Sequence, residues 1–346
     1  MVMYDYLPLQ IAIAFILDLL IGDPKWLPHP IRTIGSAIEL LEKILRKIFV
    51  SERLAGTFLA AIIVSGTYLF TYSIISIFGQ FGEIWEIAVG TIFIFYSLST
   101  RDLLREAKAV MDKLKSRNLV QARKNLSRIV GRDTRDLNEQ QITRACIETT
   151  SENAVDGIIA PLLCAFIGGP ALAMAYKAVS TLDSMVGYKD NKYIDFGRTS
   201  ARLDDIANYV PARIAAIVLP MSVYLCGADY LNSIKTIRRD GEKHPSPNSG
   251  IPEAAIAGAL GIRLGGPGTY KGVVSNKPFI GESKNEIVLD NINQTIKIIF
   301  VAAILSVTLG IAVFFIVSSL VFFGSEYAEA LREFLFSRTY YRLAIH

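Results

Sequence analysis

The apolar positions of this chain are clumped rather than spread. Leu54 to Gly82 and Ile298 to Ser325 contain no charged residue. Each run exceeds the roughly 20 residues needed to cross a hydrocarbon core of about 30 Å as a helix. In a soluble protein both would have to be fully buried, so two such runs predict an integral membrane protein. Ile84 to Leu98 follows the second span after a short link and returns across the bilayer. Leu7 to Leu20 is largely apolar and runs straight into Gly22-Asp23-Pro24, without a basic leading segment or a small-residue cleavage site. It reads as a retained first membrane helix rather than a signal peptide. Spans are therefore expected near 7–21, 54–78, 84–98 and 298–323.

Two further apolar runs do not fit a simple span. Gly157 to Tyr176 is uncharged but interrupted by Gly168-Gly169-Pro170, which an ordinary spanning helix avoids. Ile214 to Ala228 would reach only about 22 Å as a helix. Basic residues set the orientation: 22–53 and 99–156 are rich in Lys and Arg, whereas 1–21 and the Gly79–Glu83 link have none. This expectation puts the N-terminus outside and the basic loops in the cytoplasm. If 157–176 and 214–228 both crossed, Lys177, Lys189, Lys192, Arg198, Arg202 and Arg213 would lie outside. Re-entrant or broken segments at 157–176 and 214–228 keep them inside, and such segments line polar cavities; two short tilted spans are the alternative. The fold class expected is all-α: a polytopic integral membrane protein with re-entrant or broken helices and large cytoplasmic-side helical loops.

The polar stretches are mostly helical in pattern. Ile38, Leu41, Leu45 and Ile48 form an apolar stripe beside Lys43, Arg46 and Lys47, as on an interfacial helix. Residues 101–115 and 119–130 read as a helical pair ending at Gly131. Residues 240–285 are dense in Gly, Pro, Asn and Ser and read as a long structured loop region, a common place for function. Composition adds little: 51% hydrophobic and 20% charged in 346 residues excludes disorder and small disulfide scaffolds. A net charge of +4 without a basic, aromatic-interleaved stripe gives no sign of nucleic acid. Cys146, Cys164 and Cys226 lack metal-ligand or disulfide spacing.

Four polar clusters carry candidate chemistry. In the first, Glu148, Glu152 and Asp156 fall at i, i+4 and i+8 on one helical stripe. Three carboxylates there suit Mg²⁺ shared with phosphates, or else form a solvated face on which Arg144 pairs with Glu148. The second runs from Lys177 through Asp183 and Lys189 to Arg198, Arg202, Asp204 and Asp205. Its bases can hold phosphate oxygens and its acids metal, or it is a connector with local ion pairs. The third is His244-Pro245-Ser246-Pro247-Asn248-Ser249-Gly250-Ile251-Pro252-Glu253. Pro252 suits the first turn of a helix over Ala254–Leu260, with Ser249 and Gly250 at its anion-favouring end. The fourth, Gly265-Gly266-Pro267-Gly268-Thr269-Tyr270-Lys271-Gly272, can cradle phosphate but matches no nucleotide fingerprint. From the residues alone a phosphate-handling membrane enzyme is favoured, with transport or an intramembrane Mg²⁺-dependent prenyl-type transferase as alternatives.

These same stretches resemble the CbiB/CobD family of cobalamin biosynthesis, adenosylcobinamide-phosphate synthase. The resemblance rests on Asp18-Leu19-Leu20-Ile21-Gly22-Asp23-Pro24 with Pro28-His29-Pro30, Ile129-Val130-Gly131-Arg132-Asp133-Thr134, and Ser151-Glu152-Asn153 with Asp156-Gly157 and Pro161. Thr181 to Tyr188, Ala201 to Asp205 with Pro211-Ala212-Arg213, and His244 to Glu253 complete it. It implies one membrane domain over 1–346 that joins the free propionate carboxyl of adenosylcobyric acid to 1-aminopropan-2-ol or its O-phosphate, with ATP and Mg²⁺. It also implies a multi-pass cytoplasmic-membrane location, lipid contact, and association with other late corrinoid-assembly enzymes. For that chemistry we assign Glu148, Glu152, Asp156 and Asp183 to metal, with Asp204 and Asp205 as a second set. Lys177, Lys189, Arg198 and Arg202 are assigned to phosphates, helped by Ser246, Asn248, Ser249, Gly265 and Gly266. Glu152, Asp183 and His244 are the catalytic candidates, His244 as base or phosphate donor. An AmpE-like signalling or scaffold protein shares the architecture and is the alternative.

Overall fold

The long charge-free runs are helices that the rest of the protein leaves uncovered. In the computed structural model, which describes residues 6–23, 29–188, 190–270 and 273–343, α3 (Glu52–Gly79) and the apolar part of α13 (Asp290–Leu343) have less than a third of their most apolar windows buried. Exposed apolar faces of that length have lipid as their solvent. Among the described residues four helical stretches are long and apolar enough to cross a bilayer, and five if one bent pair counts as a span. The protein is an all-α, multi-pass membrane protein.

Chain order is as follows. α1 (Leu7–Leu20) spans about 21 Å at the helical rise and ends at Gly22, whose φ of +63° and closeness to the Arg101 side chain leave no room for a Cβ. α2 (Pro30–Ile48) is amphipathic and capped by His29, whose Nδ1 accepts from the Ile31 N–H. It buries Ile34, Ile38 and Leu45 and leaves Leu40, Ile44 and Ile48 exposed. After α3, α4 (Glu83–Ser97) runs almost without pause into α5 (Thr100–Lys115), and α6 (Leu119–Leu126) folds back on α5.

The central element starts as α7 (Glu139–Ala154), opened by an Asn138/Gln141 capping box. It widens into a π-turn at Val155–Ile159 and continues as α8 (Ala160–Val186). The expected break at Gly168-Gly169-Pro170 is present: Gly168 and Gly169 leave helical geometry, Gly169 with φ +66°. α9 (Arg198–Ala207) and α10 (Tyr209–Leu225) are bent by 41° at Asn208. The 240–285 region is more regular than a loop. It holds the end of α11 (Tyr230–Asp240), α12 (Gly250–Leu260), and an antiparallel hairpin of β1 (Leu264–Tyr270) and β2 (Val273–Ile280) with a bulge between Leu264 and Gly266. Pro267 and Pro278 are tolerated because a two-stranded ribbon has only edge strands.

Among the described residues, three buried clusters organise the first of two compact units, 1–307. One joins α5, α6, α7, α12, the hairpin and the start of α13; another joins α2, α3, α8 and Phe196. The third joins the π-turn, α10 and α12. The second unit, 308–346, is the remainder of α13 where described. Cys146, Cys164 and Cys226 are free thiols. Pro24 and Pro28 of the amino-terminal motif, Lys189, and the Lys271-Gly272 pair lie outside the described residues.

Candidate functional site: an acidic cavity

α7, the π-turn, α8, α9 and the segment before α12 meet around a cavity of about 280 Å³. Five carboxylates line it: Glu152, Asp156, Asp183, Asp204 and Asp205. His244, Ser246, Asn248 and Ser249 form the opposite wall. Stretches up to 97 residues apart in sequence are thus one site, and most sequence-predicted residues are in it.

Local structure explains the placement. The π-turn begins one residue before Asp156, so the third carboxylate of the helical stripe sits in a widened turn. Gly157 makes the close approach that this needs: its carbonyl accepts from the Ser99 N–H at 3.0 Å, and a Cβ would lie 2.4 Å from Ser99 Oγ. Asp183 is in the last turn of α8, where Gly187 leaves it space; a Cβ there would lie 2.0 Å from Asp183 Oδ1. Asn208, at the α9/α10 bend, donates to Asp204 at 3.0 Å and accepts from Tyr176 OH at 2.8 Å.

The 244–249 segment is tied down residue by residue. Ser249 Oγ donates to Glu152 Oε1 at 2.6 Å. Asn248 donates to the Asp205 carbonyl and accepts from Arg213, both at 2.8 Å. The Ser246 N–H donates to His244 Nδ1 at 3.0 Å, and Ser246 Oγ reaches Asp205 Oδ1 at 3.5 Å. A side-chain lattice therefore fixes the wall opposite the acids.

No Lys or Arg lines this cavity among the described residues. Lys177, half-buried on α8, sits within electrostatic reach of Asp156 and of Asp18 and Asp23. That links the cavity to the amino-terminal motif. There, Asp18 accepts from the Thr100 N–H at 2.8 Å, the Asp23 N–H donates to Asp102 at 2.7 Å, and His29 Nε2 lies 3.0 Å from Asp23.

Hard oxygen donors without a basic neighbour in the wall suit Mg²⁺. Among the described residues no three His, Cys, Asp or Glu side chains converge tightly enough to cage a metal ion. The donor set fits an ion held by one or two carboxylates and completed by substrate phosphates and water, the usual habit of Mg²⁺.

Five expected residues are placed elsewhere. Glu148 is buried outside the cavity wall, paired with Arg132, accepting from the Gly265 N–H at 2.7 Å, with Arg144 Nε at 4.0 Å. Both of its oxygens are committed, which removes it from the metal set. The same bond occupies Gly265, and the Phe279 ring covers Gly266 so closely that a Cβ would lie 2.6 Å from it. The Gly265 N–H is thus already engaged, and Gly266 packs against an aromatic ring, both away from the cavity wall. Arg198 and Arg202 are exposed on α9 and outside the lining.

Residues not singled out from sequence are also present. Lys277 of β2 brings Nζ to 3.0 Å from His244 Nε2. Glu253 of α12 is 1% exposed, with Oε1 3.9 Å from the same nitrogen. Burial, then the Lys277 charge, holds the His244 ring below its ordinary pKa. Burial and the charges of Glu148 and Glu152 hold the Glu253 carboxyl well above its own. Glu253 closes a recognisable motif, but nothing in β2's sequence marks Lys277.

The sequence profile described as CobD/Cbib protein matches residues 11–299. The chain belongs to the CobD/CbiB family. It is 43% identical over 321 residues to the cobalamin biosynthesis protein CobD of Leptospira interrogans, covering 93% of this chain and 99% of that one. It is 47% identical over 280 residues to CobD of Pelobacter propionicus, covering 81% and 87%. Against the cobalamin biosynthesis protein CbiB of Salmonella choleraesuis it is 43% identical over 311 residues, covering 87% and 95%. No solved structure matches the chain.

Proposed function

We propose that this member of a cobalamin-biosynthesis family is an ATP-dependent carbon–nitrogen ligase, an adenosylcobinamide-phosphate synthase. It would join the free propionate carboxyl of adenosylcobyric acid to aminopropanol or its O-phosphate, giving adenosylcobinamide or its phosphate. The observation that carries the reading is the acidic cavity: five carboxylates facing a fixed wall of hydroxyl, amide and imidazole groups. We place it at the cytoplasmic face of the cell membrane, where ATP is available.

A carboxylate is a poor acyl donor. In the first step its oxygen attacks the γ-phosphorus of ATP, forming the acyl phosphate and releasing ADP. In the second the amine attacks the acyl carbon; the C–N bond forms, phosphate leaves with the bridging oxygen, and the ammonium's two excess protons go to a base and to solvent or phosphate. Mg²⁺, when bound with the nucleotide, would neutralise phosphate charge and align it. Two of Asp183, Asp204 and Glu152 would hold the ion directly and the third through water, with Asp156 beside them. Ser246, Asn248 and Ser249 would position phosphate oxygens through hydroxyl and amide donors, and Lys177 would supply positive charge from behind Asp156. Excluding water from this half-enclosed wall protects the acyl phosphate from hydrolysis.

Purified protein in detergent is given adenosylcobyric acid with an ¹⁸O-labelled propionate, aminopropanol phosphate, ATP and Mg²⁺. The reading predicts one ADP per amide and one ¹⁸O in the released phosphate. AMP formation, or unlabelled phosphate beside labelled product, removes the acyl-phosphate route. No amide with bound substrates removes the ligase.

A further inference from the structure

Beside the cavity, a hydrogen-bond donor and an acceptor face each other unmade. With the Ser246 N–H donating to His244 Nδ1, a neutral His244 ring carries its proton on Nε2. That nitrogen looks at Lys277 Nζ, 3.0 Å away, and at Glu253 Oε1, 3.9 Å away. An ammonium cannot accept the ring proton. Glu253 can, and both its carboxyl oxygens are buried without a hydrogen-bond partner among the described residues. A buried carboxyl left unsatisfied is costly unless something engages it. About 1 Å of travel would bring the pair to normal hydrogen-bond distance. The charged groups around them are Glu148, Glu152, Arg132 and Lys277.

We infer that Glu253 is the positioning residue of His244: it takes the Nε2–H as the site engages substrate, fixing the ring's tautomer and orientation. Through the ring it also fixes the 244–249 wall, because Ser246 and Asn248 hang from His244 Nδ1 and from one another. The catalytic consequence rests on the proposed ligase reading; the tautomer does not.

The chain has three histidines, so histidine-selective ¹⁵N labelling resolves His244, identified by its loss in H244N, with the His29 signal as a fold control. In the wild type, the ring shows a single tautomer protonated at Nε2. E253Q, which keeps an accepting oxygen, preserves it. E253L frees the ring to turn away from the Ser246 N–H and so gives a tautomer mixture, and E253M asks the same of a second apolar side chain. An unchanged His244 spectrum in both apolar variants overturns the inference, as does an E253Q spectrum matching theirs. In turnover, E253L is expected to lower kcat about tenfold to a hundredfold with KM for ATP unchanged, and to add nothing to H244N. Additive losses overturn the assignment. Absence of wild-type turnover would remove the ligase reading and leave the tautomer test standing.

Discussion

Glu148 and Glu152 sit one turn apart on α7 and have opposite fates. Glu148 is sealed in, neutralised by Arg132 and bonded to the hairpin backbone at Gly265. Glu152 opens onto a cavity with four more carboxylates and, among the described residues, accepts from the Ser249 hydroxyl. The first arrangement spends its charge inside the protein and joins the hairpin to α7. The second gathers carboxylates around a cavity that no Lys or Arg lines among the described residues, where a cation would relieve their mutual repulsion. An acid that a fold has paired and sealed is structural; an acid that it presents to a cavity is available for chemistry.

The contrast can be broken by exchanging what is lost. E152Q and D183N are expected to lose at least about a hundredfold in Mg²⁺-dependent amide formation, with thermal stability kept or slightly raised as repulsion is relieved. E148Q is expected to do the reverse. Removing one partner of a buried pair costs roughly 3 kcal/mol, read as a lower denaturation midpoint, while residual folded enzyme keeps its Mg²⁺ dependence. A drop in stability for E152Q equal to that of E148Q would erase the distinction.

Mg²⁺ should then stabilise only proteins that keep the cavity carboxylates. At ten times its Kd, linkage gives about 1.4 kcal/mol, expected to vanish in a D183N/D204N double variant and to persist in E148Q. An equal shift in all three would place the cation elsewhere.

The smallest effect concerns a second balanced acid. Burial pushes the Asp240 carboxyl up, but Arg239, Lys243 and the Gly281 N–H together hold it below the usual carboxylate range. A depressed folded pKa gives stability that is complete above the unfolded value, near about 4, and is lost as pH falls below it. Wild-type protein should therefore lose stability below about pH 4 more steeply than D240N. Parallel acid curves would show that Asp240 contributes nothing there.

Much of this was readable from the sequence, for identifiable reasons. Charge-free runs must lie in lipid or be buried, so α3 and α13 announced themselves, and Gly168-Gly169-Pro170 announced the break. Glu152, Asp156, Asp183, Asp204, Asp205 and the 244–249 wall lie in motifs whose residue types suit metal and phosphate, and the fold gathers them. The failures share one cause. Gly265 and Gly266 look like a phosphate cradle until Glu148 and Phe279, distant in sequence, occupy them. Glu148 belongs to the helical stripe until Arg132 claims it. The hairpin was hidden because glycine and proline patterns suggest loops, and Lys277 lies on it without any local signal. Pairings across the chain decide which polar groups are spent, and periodicity cannot see them.

The most direct test is amide formation by purified wild type, E152Q and E148Q, followed by mass spectrometry against added Mg²⁺. The account predicts Mg²⁺-dependent adenosylcobinamide phosphate from wild type and folded E148Q, and almost none from equally folded E152Q. Product from E152Q at the wild-type rate and Mg²⁺ dependence would contradict it.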